Sequence, residues 1–200
     1  MTSGQSLPAA YFVDIYARDT DPWQFASSAY EMEKYRTTLA ALPKDRYRYG
    51  FEVGCSIGVL TRQLAARCEG LLAVDVSDIA LSAARQRCRD LPAVQFEKMA
   101  VPDQVPDSSF DLIVVSEVAY YWSMADLNRM MGWLQLHLLP AGHLVFVHWI
   151  GETDYPVSGD AVHDRLLADR SFVCLSDKKY EKYRLSVARK AETSLRAKHR

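Results

Sequence analysis

Short apolar runs alternate along the chain with segments in which apolar residues recur every three or four positions. The runs LLAV, LIVV and LVFV carry no polar residues, which is typical of strands buried on both faces of a sheet. The segments between them have the periodicity of amphipathic helices. The predicted strands are 48–53, 71–77, 94–98, 110–116 and 143–149, and the predicted helices are 59–68, 79–90 and 125–138. This alternation predicts a doubly wound, mostly parallel α/β sheet with helices on both faces.

The two ends of the chain have a different pattern. Residues 8–42 have helical periodicity, interrupted by a turn at 21–23, and Met32 is expected on the apolar face of the second helix. Two late apolar runs, 171–175 and 183–188, predict an antiparallel hairpin.

The length and composition indicate one ordinary domain. The chain has 200 residues, of which 49% are hydrophobic, and its formal net charge is −1. This balance gives no electrostatic reason to expect a nucleic acid or an anionic membrane as partner. No uncharged apolar run reaches the ~18 residues that a membrane span needs, and MTSGQSLPAA lacks the features of a signal peptide.

We divide the chain into an N-terminal helical segment at 1–44, a main domain at 45–190 and a mobile basic tail at 191–200.

The cysteine pattern favours reduced, buried thiols. Cys55, Cys68, Cys88 and Cys174 form no CxxC pair, and each lies in a stretch predicted to be buried. We therefore expect no disulfide framework, no zinc site and a cytoplasmic protein.

The stretch EVGCSIGVL, residues 52–60, fits two chemistries. Gly54-Cys55-Ser56-Ile57-Gly58 matches Gly-x-Ser-x-Gly, which presents a nucleophilic serine in α/β-hydrolases. It also has the form of a glycine-rich strand-to-helix turn that binds a nucleotide cofactor. The hydrolase interpretation lacks its context, because the turn follows the first predicted strand and no oxyanion-loop segment precedes it.

The cofactor interpretation also requires an acidic residue at the end of the second strand, and Asp75 fits this requirement. An acidic residue about 20 positions past the glycines is expected to end the second strand and hold the ribose hydroxyls. Asp75 stands there, in LLAVDVS, and Ser77 or Asp78 is better placed to cap the next helix.

Two residues distinguish between possible cofactors. Val59 occupies the third glycine position of a dinucleotide fingerprint, and Glu52 places a negative charge beside the turn. That charge repels a pyrophosphate and favours a positively charged ligand. S-adenosylmethionine carries an ammonium and a sulfonium and no phosphate.

The motifs resemble those of the class I S-adenosylmethionine-dependent methyltransferases. EVGCSIG is similar to motif I of that family, Asp75 matches its acidic residue after the second strand, PDSSFDLIVVSEVAYYW matches its fourth-strand region and LLPAGHLVFV its fifth. Together with the 21–23 turn and YEMEKY, the chain resembles the NodS-type enzymes, which N-methylate the free amino group of a deacetylated chitooligosaccharide. The resemblance implies a Rossmann-like, seven-stranded sheet with an antiparallel last strand, and we expect residues 1–44 to form a lid over the cofactor site.

The sequence departs from the family pattern in two places. Ser56 stands at a motif I position that is often Gly or Ala. The stretch from Trp149 to Leu167, where class I enzymes often build the acceptor site, does not match the nodulation enzymes.

Candidate site residues follow from the predicted strand ends. The expected cofactor-binding residues are Glu52, Gly54, Cys55, Ser56, Gly58, Asp75, Val76, Met99, Ala100, Ser116, Glu117 and Val118. The rings of Tyr120, Tyr121 and Trp122 are expected to bound a sulfonium or to stack on a sugar. The expected substrate-binding residues are Trp23, Tyr120, Tyr121 and Trp149. An amine acceptor must lose a proton, and the candidate bases are Glu117, His148 and His163.

The leading hypothesis is an N-methyltransferase whose small-molecule acceptor is an amino sugar or another sugar derivative. The alternatives are methylation of an oxygen on another metabolite, a nicotinamide-dependent oxidoreductase and a cofactor-binding regulatory module without turnover. No tight ligand motif predicts a metal site. Whether the protein is a monomer or a homodimer stays open.

Overall fold

The computed structural model describes residues 4–192, which fold into six α-helices and seven strands. The helices are α1 (Ala9–Arg18), α2 (Ala29–Ala40), α3 (Val59–Leu64), α4 (Asp78–Arg87), α5 (Met124–His137) and α6 (Gly159–Leu167). The strands are β1 (Tyr47–Val53), β2 (Cys68–Asp75), β3 (Val94–Lys98), β4 (Phe110–Ser116), β5 (Leu138–Trp149), β6 (Phe172–Lys179) and β7 (Tyr183–Lys190). Part of the predicted basic tail, residues 193–200, lies outside the described residues.

The strands form one sheet in the order β3-β2-β1-β4-β5-β7-β6. Strands β1 to β5 pair in parallel, whereas β7 is antiparallel to both β5 and β6. The predicted Rossmann-like sheet with an antiparallel last strand is therefore confirmed. The chain adds β2 and β3 on one side of β1 and then adds β4 and β5 on its other side, so the direction of strand addition reverses between β1 and β4. Such a switch point opens a crevice at the carboxyl ends of the strands.

Helices cover both faces of the sheet. Buried side chains of α5 and α6, such as Leu127 and Val162, pack with Phe51 and Phe146 on one face. On the other face, α2 and α3 pack against alternate residues of the same strands. The central strands contain continuous apolar runs, such as LIVV in β4 and LVFV in β5, because both sides of each strand are covered there.

Several element boundaries differ from the prediction, and strand pairing accounts for two of them. The helix predicted at 59–68 ends at Leu64 and passes through a 3-10 turn, because Cys68 already pairs with Tyr47 at the start of β2. Strand β5 begins at Leu138 rather than at 143, with an irregular register opposite Phe110.

The burial of all four cysteines was also predicted, and Cys174 contradicts it. This residue lies exposed on β6, which forms an edge of the sheet. An edge strand is covered by a neighbour on one side only, so its apolar run did not imply full burial. Cys55, Cys68 and Cys88 are buried free thiols.

Helix α2 buries Tyr35 but not Met32. Met32, expected on the apolar face, is 58% exposed, while Glu31 and Lys34 are 7% and 2% exposed. Charged residues are rarely buried without a partner, so the inward face of this helix points to a polar site.

No helix among residues 4–192 has the length and apolar character needed to cross a membrane.

Candidate functional site

A cavity of about 510 Å³ lies at the carboxyl ends of β1, β2 and β4, at the switch point of the sheet. Its volume is in the range of pockets that bind small molecules and cofactors. The predicted cofactor residues that line it are Glu52, Gly54, Cys55, Ser56, Asp75, Val76, Met99, Ala100, Ser116, Glu117 and Val118. The sequence therefore predicted this wall of the cavity, with the exception of Gly58.

The glycine-rich turn depends on left-handed backbone conformations. Gly54 has φ 75° and Ser56 has φ 49°. A side chain at Gly54 would press on Val118 at 3.2 Å. Gly58 does not line the cavity; instead it allows α3 to approach Ala84 of α4, where a Cβ would come within 3.0 Å. Its part in the turn is helix packing rather than contact with a ligand.

Asp75 is held rigidly beside this turn. Its Oδ2 accepts a hydrogen bond from the Ser56 amide at 2.9 Å, and its Oδ1 accepts one from the Ser77 amide at 3.0 Å. Burial raises the pKa of this carboxyl group, and the backbone amides oppose that rise. Ser77 caps α4 by accepting from the Ala80 amide, so the alternative that Asp75 is the helix cap is excluded.

Glu52 is a buried carboxyl group without a hydrogen-bond partner for Oε2 among residues 4–192. Burial raises its pKa to about 8 although the Thr61 hydroxyl opposes the rise, and the nearby Asp75 adds to it. Because an orphaned buried carboxyl oxygen is costly, this position fits a ligand that brings a positive charge.

Ser56 makes a contact that a hydrolase nucleophile would not need. Its Oγ accepts a hydrogen bond of 2.5 Å from the Tyr16 hydroxyl, and burial raises the pKa of that tyrosine. A nucleophilic serine requires an adjacent base, and a tyrosine that stays protonated does not supply one.

Residues between Ser6 and Tyr35 contribute to one side of the cavity. The Leu7 amide donates to the Tyr121 carbonyl at 2.8 Å, and the Phe12 and Tyr121 rings pack edge to face at 4.8 Å. With Tyr16 on Ser56, these contacts join α1 to two separate parts of the cavity rim. The sequence pattern did not predict a site role for Tyr16, because this residue is one of many apolar positions in a predicted helix.

Aromatic rings form much of the apolar lining of the cavity. Trp23, Tyr120, Tyr121 and Trp149 all line the cavity, as expected from the sequence. Tyr155, which was not predicted, stacks on Tyr120 at a centroid distance of 5.1 Å. It lies in the stretch that departs from the family pattern, so no motif marked it.

Glu117 lies at the centre of a polar cluster on the cavity wall. Its Oε1 is 2.5 Å from Lys34 Nζ, and its Oε2 accepts from the Tyr120 hydroxyl at 2.7 Å and the Trp149 amide at 2.9 Å. Lys34 also contacts Glu31 at 2.9 Å. Burial lowers the pKa of Lys34, but the two carboxylates outweigh that effect and the pKa is raised, so Lys34 stays charged.

The two candidate histidine bases are fully buried and do not line the cavity. Burial lowers the pKa of His148 to about 3 and that of His163 to about 2. His148 Nε2 accepts from the Ala119 amide, so Nδ1 carries the proton that is shared with His163 Nε2 at 3.3 Å. His163 Nδ1 then donates to Ser186. This geometry gives the expected base role of both histidines no support.

His148 lies on β5 and His163 on α6, and the two side chains meet where the helix packs on the sheet. His148 projects from β5 toward α6, on the face of the sheet rather than beyond its edge. Within residues 4–192, no group of three or more His, Cys, Asp or Glu side chains is arranged to hold a metal ion.

Comparison with known proteins places this architecture in a family. The family model described as nodulation protein S (NodS) matches residues 13–147. The chain belongs to the NodS family. Nodulation protein S of Sinorhizobium fredii is 34% identical to it over 128 residues, which are 63% of this chain and 59% of the relative. The chain thus matches less than two thirds of that relative's length.

Solved structures share the fold. A crystal structure of a candidate methyltransferase from Pseudomonas syringae is 37% identical, with a TM-score of 0.73, and covers 82% of this chain and 100% of its own. The N-methyltransferase NodS from Bradyrhizobium japonicum WM9, in complex with S-adenosyl-L-homocysteine, has a TM-score of 0.79 at 23% identity over 92% of this chain and 99% of its own. This NodS family member therefore has the fold of crystallised methyltransferases.

Proposed function

We propose that this protein is an S-adenosylmethionine-dependent methyltransferase that N-methylates a small molecule, with an amino sugar or a deacetylated chitooligosaccharide as the leading acceptor. The observation that carries the proposal is the joint presence of Asp75 and the unpartnered Glu52 on one cavity. Family membership and the methyltransferase fold support it.

The cavity residues fit the methyl donor in size and charge. Asp75 would accept hydrogen bonds from the ribose hydroxyls, and Glu52 would bind the ammonium of the methionine part. Val76, Met99 and Ala100 would surround the adenine. When bound, S-adenosylmethionine supplies a methyl group already activated by its sulfonium.

The rest of the cavity would exclude water and orient the acceptor. The aromatic wall offers flat apolar surface and π faces for a cationic centre. Segment 1–44 would act as the lid, since α1 contacts both Ser56 and Tyr121. Alignment and water exclusion are the main demands of a displacement reaction on an activated carbon.

The charge of the cavity favours an amine over an anionic acceptor. Among the described residues, its lining contains six acidic side chains and one basic one, Lys34. Lys34 already contacts two carboxylates, so a carboxylate or phosphate acceptor would meet no free cation there. The same acidity disfavours the pyrophosphate of a nicotinamide cofactor.

Binding of S-adenosylhomocysteine, measured by calorimetry beside NAD, tests the proposal. Wild type should bind S-adenosylhomocysteine and not NAD. Asp75→Ala should weaken binding about 10- to 150-fold, the equivalent of ~1.5–3 kcal/mol for a charge-assisted hydrogen bond. The matched control is Asp78→Ala, which changes an exposed carboxylate paired with Lys98. Binding of NAD instead, or equal affinity in wild type and Asp75→Ala, would contradict the assignment. Binding without methylation of any amine or hydroxyl acceptor would favour a regulatory module.

A further inference from the structure

Glu31 has one carboxyl oxygen that the protein leaves without a partner. Lys34 Nζ contacts Glu31 Oε1 at 2.9 Å, while Oε2 is buried and accepts no hydrogen bond from any described residue. Glu31 is 7% exposed and lines the cavity. Burial raises the pKa of this carboxyl group, whereas Lys34 and the nearby Tyr35 hydroxyl lower it.

Glu117 provides the comparison within the same cluster. Three donors occupy its two oxygens: the Lys34 ammonium, the Tyr120 hydroxyl and the Trp149 amide. Since Glu117 already has these partners and Glu31 Oε2 has none, the capacity to accept a further hydrogen bond is greatest at Glu31. The structure thus separates a carboxylate with three donors from one with a buried oxygen that has no hydrogen-bond partner among the described residues.

The neighbouring Tyr30 adds a second unpartnered group. Its hydroxyl oxygen is buried without a hydrogen bond among residues 4–192, and the residue lines the cavity. The Tyr30 ring packs edge to face with Trp149 at 6.3 Å. Two consecutive residues of α2 therefore leave a polar oxygen without a partner at the wall that carries the aromatic residues.

The charge of the cluster calls for one more cation. Glu31 and Glu117 contribute two negative charges and Lys34 one positive charge, which leaves one negative charge unbalanced. A buried charge without a partner is costly, so a cationic ligand group would be bound favourably.

We propose that Glu31 Oε2 and the Tyr30 hydroxyl form the subsite for the primary ammonium group of the acceptor. This inference rests on the proposed function and adds to it the residues that select an amine. The donors of an ammonium match these two oxygens, whereas a hydroxyl group in its place brings no charge to balance Glu31.

The same contact provides the proton acceptor that N-methylation requires. An N–H bond of the bound ammonium breaks and an O–H bond forms at Glu31 Oε2. The electron pair of the broken bond stays on nitrogen as the lone pair that an amine needs in order to act as a nucleophile. Lys34 holds Oε1, so the proton is received by the oxygen that faces no other partner.

Glu31→Gln tests the subsite, with Glu33→Gln as the matched control. Glu33 lies on the same helix, is exposed and pairs with Arg36. The probes are a β-1,4-linked glucosamine trimer and cellotriose, which carries a hydroxyl where the trimer carries each amine. Calorimetry measures the binding of both probes to the complex of each variant with S-adenosylhomocysteine.

We expect the wild-type complex to bind the glucosamine trimer more tightly than cellotriose. Glu31→Gln should weaken binding of the trimer about 10-fold or more and remove this preference, with an unchanged affinity for S-adenosylhomocysteine. Glu33→Gln should behave as wild type. Tyr30→Phe, which removes one hydroxyl, should weaken the trimer by a smaller factor.

The outcomes separate this inference from the proposed function. With normal binding of S-adenosylhomocysteine, a trimer that binds without preference over cellotriose, or without an effect of Glu31→Gln, would overturn the subsite alone. Normal binding of S-adenosylhomocysteine with no binding of the trimer would overturn the subsite and the amino-sugar acceptor together. A loss of S-adenosylhomocysteine affinity in Glu31→Gln would assign Glu31 to the cofactor instead. Failure of wild type to bind S-adenosylhomocysteine would overturn both.

Discussion

Lys34 Nζ lies 2.5 Å from Glu117 Oε1 and thereby joins helix α2 to the residue that follows β4, 83 positions later in the chain. Both side chains are largely buried. This contact fixes the N-terminal helices onto the carboxyl edge of the sheet, where the cavity lies.

Lys34→Met should destabilise the protein strongly. It leaves Glu31 and Glu117 as buried carboxylates without their common cation, and breaking a buried ion pair from one side typically costs ~3–5 kcal/mol. Urea unfolding measures the loss. Arg36→Met, which breaks an exposed pair with Glu33 on the same helix, is the control and should change little. Equal effects of the two substitutions would mean that the buried cluster does not hold α2 in place.

The sequence predicted the strands of the sheet, but it did not predict the contact between Lys34 and Glu117. The central strands contain continuous apolar runs, and β4 begins and ends where expected, because burial on both faces imposes a composition that is visible locally. The position of Asp75 at the end of β2 was also predictable, because the β1–α3–β2 unit fixes its distance in sequence from the glycine-rich turn.

The polar cluster was not visible locally. Glu31 and Lys34 are spaced i, i+3 on a helix, a pattern that solvent-exposed pairs share, and the partner that draws them inward, Glu117, is distant in sequence. The histidines were misjudged for a related reason. A position near a strand end did not specify whether His148 faced the cavity or the helix packed on the sheet.

Glu52 should make the ligand-free protein less stable as the pH rises. Its folded pKa of about 8 lies above its ordinary value of 4.5, so the unfolded chain releases the proton first and stability is lost between these two values. Glu52→Gln removes this loss. Between pH 5 and 7.5 the wild type should lose roughly 3 kcal/mol relative to the variant, at 1.36 kcal/mol per pH unit. Urea unfolding at both pH values measures the difference, and parallel pH dependences would refute the assignment.

The same carboxyl group should release a proton when S-adenosylhomocysteine binds. An ammonium beside Glu52 favours the ionised form, so binding below pH 8 should expel the proton and affinity should rise as the pH approaches 8. Calorimetry in buffers of different ionisation enthalpy detects that proton. Glu52→Gln should bind more weakly and release none; a wild-type proton release in this variant would exclude Glu52 as its source.

The buried histidines should weaken the fold in acid. His148 and His163 have folded pKa values of about 3 and 2, below the ordinary 6.5, so only the unfolded chain takes up protons as the pH falls from 6.5. Each should cost roughly 2 kcal/mol at pH 5. His163→Asn should therefore lose about 2 kcal/mol less than wild type between pH 7 and pH 5 in urea unfolding. An identical loss would show that His163 titrates in the folded state.

Tyr16→Phe should speed the release of S-adenosylhomocysteine. The Tyr16 hydroxyl, which donates to Ser56 Oγ at 2.5 Å, is a direct hydrogen bond from α1 to the glycine-rich turn. Such a bond contributes ~0.5–1.5 kcal/mol, so its loss should raise the dissociation rate roughly 2- to 10-fold if opening of α1 precedes release. Stopped-flow displacement measures that rate, with Tyr11→Phe on the exposed side of α1 as the control. A rate that Tyr16→Phe leaves unchanged would mean that the ligand leaves without breaking this contact, and that α1 is a fixed wall of the cavity rather than a lid.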